Sequence, residues 1–198
     1  MSVALAERHT QAKPRYTYAD YAKWPEYPRY ELFNGEAIKM SAPTWEHQEI
    51  SMELSIQFGT FLRGKKCRVV ASPVDVRINY NTLDNTVIQP DLVIVCDTGK
   101  IENGKHCLGA PDMAIEILSE STRGMDKLRK FNIYLNAGVR EYWIVSPFER
   151  MVEVYILKNG EYVVSAYDDE STIPVHVLEG CTIDLRTVFP PPEGTTEE

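Results

Sequence analysis

The chain has 198 residues, 43% hydrophobic and 25% charged, which suits one soluble domain with a sizeable core and excludes a disordered or collagen-like chain. Twenty-one Lys and Arg against 29 Asp and Glu leave a formal charge of -8, so wholesale polyanion binding is excluded and any phosphate chemistry must be local. The longest apolar stretches, Leu92 to Cys96 and Met113 to Leu118, fall far short of the roughly 20 residues that span a bilayer. Met1 to Lys13 lacks an apolar segment of signal-peptide length. The four cysteines, Cys67, Cys96, Cys107 and Cys181, form no Cys-x-x-Cys pair. A cytoplasmic protein with all four thiols reduced and no membrane partner is expected.

Residues 1–14 have no clean period, and the prolines at 190–192 open a polar tail, so both ends are expected to be flexible around a single domain at 15–189. A short helix begins at Tyr16 to Tyr18, with Thr17 as N-cap, and stops before Pro25 and Pro28. Tyr30 to Phe33 and Glu36 to Met40 flank Asn34-Gly35, the dipeptide that best tolerates the positive φ angles of a tight hairpin turn. Pro43 and Thr44 open a helix to about Arg63, because Ile50, Leu54, Phe58 and Phe61 recur at helical spacing. His47 faces inward on that helix, and Trp45 beside it is read as core or site.

Three strands follow, Arg68 to Ile78, Val87 to Cys96 and Asp112 to Ser119, then a helix from about Thr122 to Asn136 closed by Gly138, and a buried strand from Glu141 to Val145. A second Asn-Gly turn at 159–160 joins Val152 to Leu157 and Tyr162 to Tyr167, and shorter strands run from Thr172 to Leu178 and Thr182 to Leu185. The order predicts an α/β or α+β fold, a mixed sheet with helices packed on it.

Chemistry concentrates on two carboxylates. Asp91 stands at the entrance of the apolar run Leu92 to Cys96, and Glu116 interrupts Met113 to Leu118, where an unpaired carboxylate would cost several kcal/mol. Brought together on adjacent strands, they suit a hard divalent cation such as Mg²⁺. The competing reading makes Asp91 a turn former and Glu116 a member of a structural ion pair. Asp126, Lys130 and Tyr134 follow at i, i+4, i+8, which places them on nearly one helix face behind the strand of Glu116.

The combination Pro90-Asp91, Glu116-Ile117-Leu118-Ser119-Glu120-Ser121-Thr122-Arg123, Asp126, Lys130, Tyr134 and Ala137-Gly138-Val139-Arg140-Glu141-Tyr142-Trp143 resembles the Uma-type restriction endonucleases, a bacterial family within the PD-(D/E)XK nuclease superfamily. The resemblance extends over roughly Tyr16 to Phe189. It implies a restriction-endonuclease-like core, a central mixed sheet flanked by helices, with Asp91 and Glu116 as metal-binding motif acids and Mg²⁺ or Mn²⁺ dependent cleavage of DNA. Two positions depart from the pattern. Leu118 stands where the superfamily has its lysine, so that role passes to Lys130, and Ser146 stands where the family commonly has Asp.

The same resemblance favours Glu31, Glu36 and His47 as further site members, and the sequence does not choose among them. For DNA, basic clusters are available at Arg63, Lys65, Lys66 and Arg68 and at Arg123, Lys127, Arg129 and Lys130. A homodimer pairing two clefts would suit cleavage of both duplex strands. No zinc spacing, base-reading motif or phosphate-cradling Gly-x-x-x-x-Gly-Lys loop is present, so no nucleotide cofactor is expected. The rival reading is a nuclease-like scaffold that binds nucleic acid or protein without catalysis. A hydrolase of smaller phosphate esters ranks below both.

Overall fold

The structure, a computed structural model, describes residues 14–119 and 125–190, with side chains of its second long helix described from Leu128 onward. The expected flexible ends therefore fall, except for Pro14 and Pro190, outside the described residues.

The chain begins with α1 (Tyr18–Tyr21), where the Thr17 N–H donates to the Asp20 carboxylate at 3.0 Å. Strands β1 (Tyr30–Phe33) and β2 (Glu36–Lys39) form the expected hairpin, with φ of 50° at Asn34 and 84° at Gly35. These left-handed values are what the Asn-Gly pair supplies at low cost. The long helix α2 (Trp45–Leu62) starts at Thr44, whose hydroxyl accepts the His47 N–H at 3.2 Å.

Each of the next two expected strands is broken in two. Arg68 to Ile78 becomes β3 (Arg68–Ala71) and β4 (Asp75–Arg77), and Val87 to Cys96 becomes β5 (Val87–Ile88) and β6 (Leu92–Val95). Pro73 and Pro90 lack the N–H that a continuous ladder requires, so the chain leaves one sheet there and enters the other. A short pair absent from the sequence reading follows, β7 (Ile101–Glu102) and β8 (His106–Leu108). The remaining elements are β9 (Met113–Ile117), α3 (Met125–Ala137), β10 (Glu141–Ser146), β11 (Met151–Lys158), β12 (Glu161–Asp168), β13 (Thr172–Pro174) and β14 (Thr182–Asp184).

Two six-stranded sheets result, one ordered β2-β1-β5-β4-β8-β7 and the other β12-β11-β10-β9-β6-β3. In the second, β9 and β10 are parallel and the other neighbours antiparallel, so α3 serves as the crossover that a parallel pair needs. The mixed α+β class expected from the sequence is present, with a second large sheet added to the single central one.

Alternation along β9 fixes the site. Met113, Ile115 and Ile117 join Ile50, Leu54 and Phe58 of α2 in one core, while Ala114 packs with Tyr134 and Tyr142 on the opposite face. Each fully buried Leu, Ile or Phe contributes about 1.5–3 kcal/mol. Glu116 belongs to the same face as Ala114, so it points at α3.

The thiol expectation needs correction. Arg68 pairs with Val95 across β3 and β6, which puts Cys67 opposite Cys96, and the two form a disulfide. Cross-strand register brings them together, and no local spacing motif signals it. Cys107 and Cys181 are free and buried, and burial pushes both thiols up to about 11. No helix among the described residues is long and apolar enough to cross a membrane.

Asp112 ties the disulfide region to β9 and β10. It accepts the Cys96 N–H at 2.6 Å and pairs with Arg140. Burial raises this carboxyl, but the Cys96 N–H and the Arg140 guanidinium more than offset it, leaving it below its ordinary value. A carboxyl depressed by folding stabilises above its unfolded value, near 4, and that stability is lost as pH falls through the folded one. Asp112→Asn should therefore lower the melting temperature at pH 7 and converge on wild type near pH 2, as read from melts across that range.

Candidate active site

A cleft of about 630 Å³ lies where the two sheets meet, lined among others by Glu31, His47, Asp91, Glu116 and Lys130. Asp91, in the break between β5 and β6, turns its carboxylate toward β9 and accepts the Ile117 N–H at 2.7 Å. That N–H adjoins Glu116, and both acidic residues line the cleft. Glu116 is only 8% exposed. Its Oε2 lies 2.8 Å from the Lys130 Nζ, and its Oε1 accepts the Tyr134 hydroxyl at 2.6 Å. Both partners come from α3 at i and i+4, as their spacing requires.

Glu31 reaches the group from the other sheet. Its Oε1 lies 2.9 Å from Lys130 Nζ and accepts the Gln89 N–H at 2.8 Å. Lys130, 8% exposed, is therefore a buried ammonium between two carboxylates of different sheets. His47 Nε2 sits 3.3 Å from Asp91 Oδ2 on the remaining side, its helical position set by the Thr44 cap.

The electrostatics follow from burial. Burial raises the Glu116 carboxyl, the Lys130 ammonium pulls it back, and Asp91 and Glu31 add to the rise, which leaves it above the ordinary glutamate range. Burial disfavours the charged form of Lys130, but the carboxylates of Glu116 and Glu31 outweigh that and hold it cationic. Burial alone would lower His47, and its hydrogen bond and charge pairing with Asp91 raise it above the usual imidazole value. The Tyr134 hydroxyl is raised well above its ordinary value by burial and the adjacent Glu116, so it remains a donor.

Residues 18–186 match the Uma2 family, described as "Putative restriction endonuclease". The chain belongs to the Uma2 family. Two curated relatives, both uncharacterized proteins of Synechocystis sp. (strain ATCC 27184 / PCC 6803 / Kazusa), are similar to it. The protein slr1290 is 28% identical over 158 residues, 78% of this chain and 81% of its own, and sll1609 is 24% identical over 127 residues, 63% and 70%. Among solved structures, a putative nuclease belonging to DUF820 from Anabaena variabilis ATCC 29413 superposes with a TM-score of 0.72 at 20% identity, covering 88% of this chain and 97% of that one. That likeness shows the fold, a nuclease-like arrangement of mixed sheets and few helices.

Within this Uma2 chain the structure gathers Glu31, His47, Asp91, Glu116, Lys130 and Tyr134. Glu36 is placed elsewhere. It lies 3.7 Å from Arg129 and lines a separate cavity of about 680 Å³ on another side of α3, with Arg129 beside it. Arg123 lies outside the described residues, as do the side chains of Asp126 and Lys127. The basic cluster at Arg63, Lys65, Lys66 and Arg68 is exposed at the far end of α2, about 24 Å from His47 along the helix.

Among the residues lining the cleft that sequence reasoning did not single out are Arg29, Lys39 and Gln89. Gln89 donates through Nε2 to the Tyr21 hydroxyl at 3.0 Å and to Asp75 at 2.9 Å, bracing the segment that presents Asp91. Its place immediately before Pro90-Asp91 was the only signal available.

Proposed function

We propose that the protein is a Mg²⁺- or Mn²⁺-dependent endonuclease that hydrolyses DNA phosphodiester bonds, with Asp91 and Glu116 as the cation's protein ligands. The observation that carries this reading is the Asp91 carboxylate bonded to the Ile117 N–H, beside Glu116, with Lys130 in contact with Glu116.

The donor chemistry fits a hard cation. Among the described residues no group of three or more His, Cys, Asp or Glu side chains is arranged to hold a metal by itself, and Mg²⁺ commonly takes one or two carboxylates, several waters and substrate phosphate oxygens. Asp91 Oδ1 has no protein partner among the described residues, and each Glu116 oxygen retains a lone pair beyond its single hydrogen bond. When bound, the ion supplies Lewis acidity and a source of hydroxide.

The protein's own groups divide the remaining work. His47 and the Ile117 N–H orient Asp91, while Tyr134 fixes the rotamer of Glu116. Lys130 opposes the rise that burial imposes on the Glu116 carboxyl and offers positive charge where the phosphate accumulates negative charge. Glu31 holds Lys130 at that station. DNA is the partner, and a homodimer offering two clefts suits cleavage of both duplex strands.

A second reading, a nuclease-like scaffold that binds nucleic acid or protein without catalysis, draws on one feature, the commitment of Lys130 to two protein carboxylates. Supercoiled plasmid separates the two. The enzyme nicks it with Mg²⁺ or Mn²⁺ and not with EDTA, whereas plasmid left intact with either metal, together with calorimetric titrations showing no metal binding, leaves the scaffold.

A further inference from the structure

Apart from His47, the wall that α2 gives to the cleft is uncharged. Gln48, Ser51, Met52 and Ser55 line it, and Met52 is 62% exposed. Trp45 precedes Met52 by two helical turns and Ile56 follows it by one, so the three form one stripe along the rim, about 16 Å long. Trp45 is 81% exposed and Ile56 51%. Glu46 and Glu53 lie further round the helix, away from the cleft, while the exposed Glu49, one turn after Trp45 and one before Met52, borders the stripe on its outer side. Across the cleft the lining includes the cationic side chains of Arg29 and Lys39.

The contrast between walls selects an occupant. A duplex presents its phosphates outward and hides the flat faces of its bases, so it would use the cationic wall and leave the apolar rim wet. A strand with unstacked bases uses both, with phosphates toward Arg29 and Lys39 and base faces on the indole and thioether. Trp45 occupies the first position of α2, between Pro43 and His47, which both line the cleft.

We infer that the Trp45, Met52 and Ile56 rim is a stacking platform for unpaired nucleobases, which makes nucleic acid with single-stranded or flipped-out nucleotides the preferred substrate class. This rests on the nuclease reading above and names the substrate of that site. Trp45 is the platform's principal element, because an indole offers the largest flat face and its exposure leaves it free to stack.

Fluorescence tests it directly. Of the three tryptophans, Trp143 is fully buried and Trp24 is half-buried within a ring cluster, so Trp45 dominates what acrylamide can quench. A labelled mixed-sequence 12-mer, single-stranded or annealed to its complement, is titrated in EDTA so that no cleavage intervenes. The single strand should bind more tightly by anisotropy and shield the tryptophan from acrylamide. Trp45→Ala should weaken single-strand binding about tenfold, with Trp45→Phe retaining most of it and both variants melting like wild type. Oligonucleotide binding with Trp45 still fully quenchable, or with equal affinity for the Ala variant, overturns the platform and leaves the nuclease reading standing. A dimer that Trp45→Ala dissociates while DNA affinity is unchanged also overturns it, assigning the rim to a second copy of the chain. No binding of either oligonucleotide, with plasmid intact in Mg²⁺ and Mn²⁺, removes both readings.

Discussion

Asp91→Asn should retain the fold and lose metal-dependent plasmid cleavage by about a thousandfold. The amide keeps an oxygen that can accept the Ile117 N–H, which Asp91 now takes at 2.7 Å, so the connection between the β5–β6 break and β9 survives. What disappears is the negative charge that would draw a cation and that favours the charged imidazole of His47. Asp91→Ala makes a useful second variant. It removes the charge together with the Ile117 contact, and loss of that hydrogen bond should cost about 1–2 kcal/mol in addition. Plasmid conversion rates paired with thermal melts separate the two effects. An Asp91→Asn protein that cuts at the wild-type rate refutes the assignment of this carboxylate to the cation.

Lys130→Met should be the most damaging single change to stability. It strips the one cation seen between Glu116 and Glu31, whose carboxylates lie 2.8 and 2.9 Å from the Nζ, while adding a chain of similar length that satisfies neither. Breaking a buried pair in this way costs about 3–5 kcal/mol, or roughly 10 °C in Tm for a chain of this size. The deficit should depend on pH with a definite sign. Burial already raises the Glu116 carboxyl, and without Lys130 to oppose it that carboxyl rises further. Folding then favours its protonated form, so the variant loses stability as pH climbs above the unfolded value near 4.3 toward the folded one. Wild type loses the same increment until its own Glu116 carboxyl ionises at about 8, so the gap should widen above that and be larger at pH 9 than at pH 6 in paired melts. Adding Glu116→Gln to Lys130→Met should restore part of the loss, since the amide oxygen still accepts the Tyr134 hydroxyl and carries no charge to neutralise. A Lys130→Met protein as stable as wild type at pH 9 would mean that the ammonium does not hold these acids.

Particular residues explain what the sequence discloses and what it withholds. Asn34-Gly35 and Asn159-Gly160 announce hairpins because their backbone angles are a local requirement, and both adopt positive φ. Glu116 stands out as a charge inside an apolar run, and Lys130 and Tyr134 follow from helical spacing, so the strand-to-helix half of the candidate site is legible. Glu31 was one acid among several, and its contact with Lys130 depends on two sheets docking, which no local pattern encodes. Glu36, equally attractive in the sequence, ends beside Arg129. The breaks at Pro73 and Pro90 were visible as residues, but the apolar runs around them read as continuous strands. Cys67 and Cys96 resembled small core residues until strand register set them opposite each other.

The chain crosses between the two sheets at Ser72-Pro73 and again at Gln89-Pro90-Asp91, and both crossings border the cleft. Glu31 comes from one sheet, Glu116 from the other, and the Lys130 ammonium joins them like a clasp. Each sheet carries only part of the candidate centre, so the constellation exists only after both have folded and docked. Its integrity is thus a gauge of the entire domain, and a truncated product or an assembly intermediate holding one sheet would be unarmed until the other closes on it.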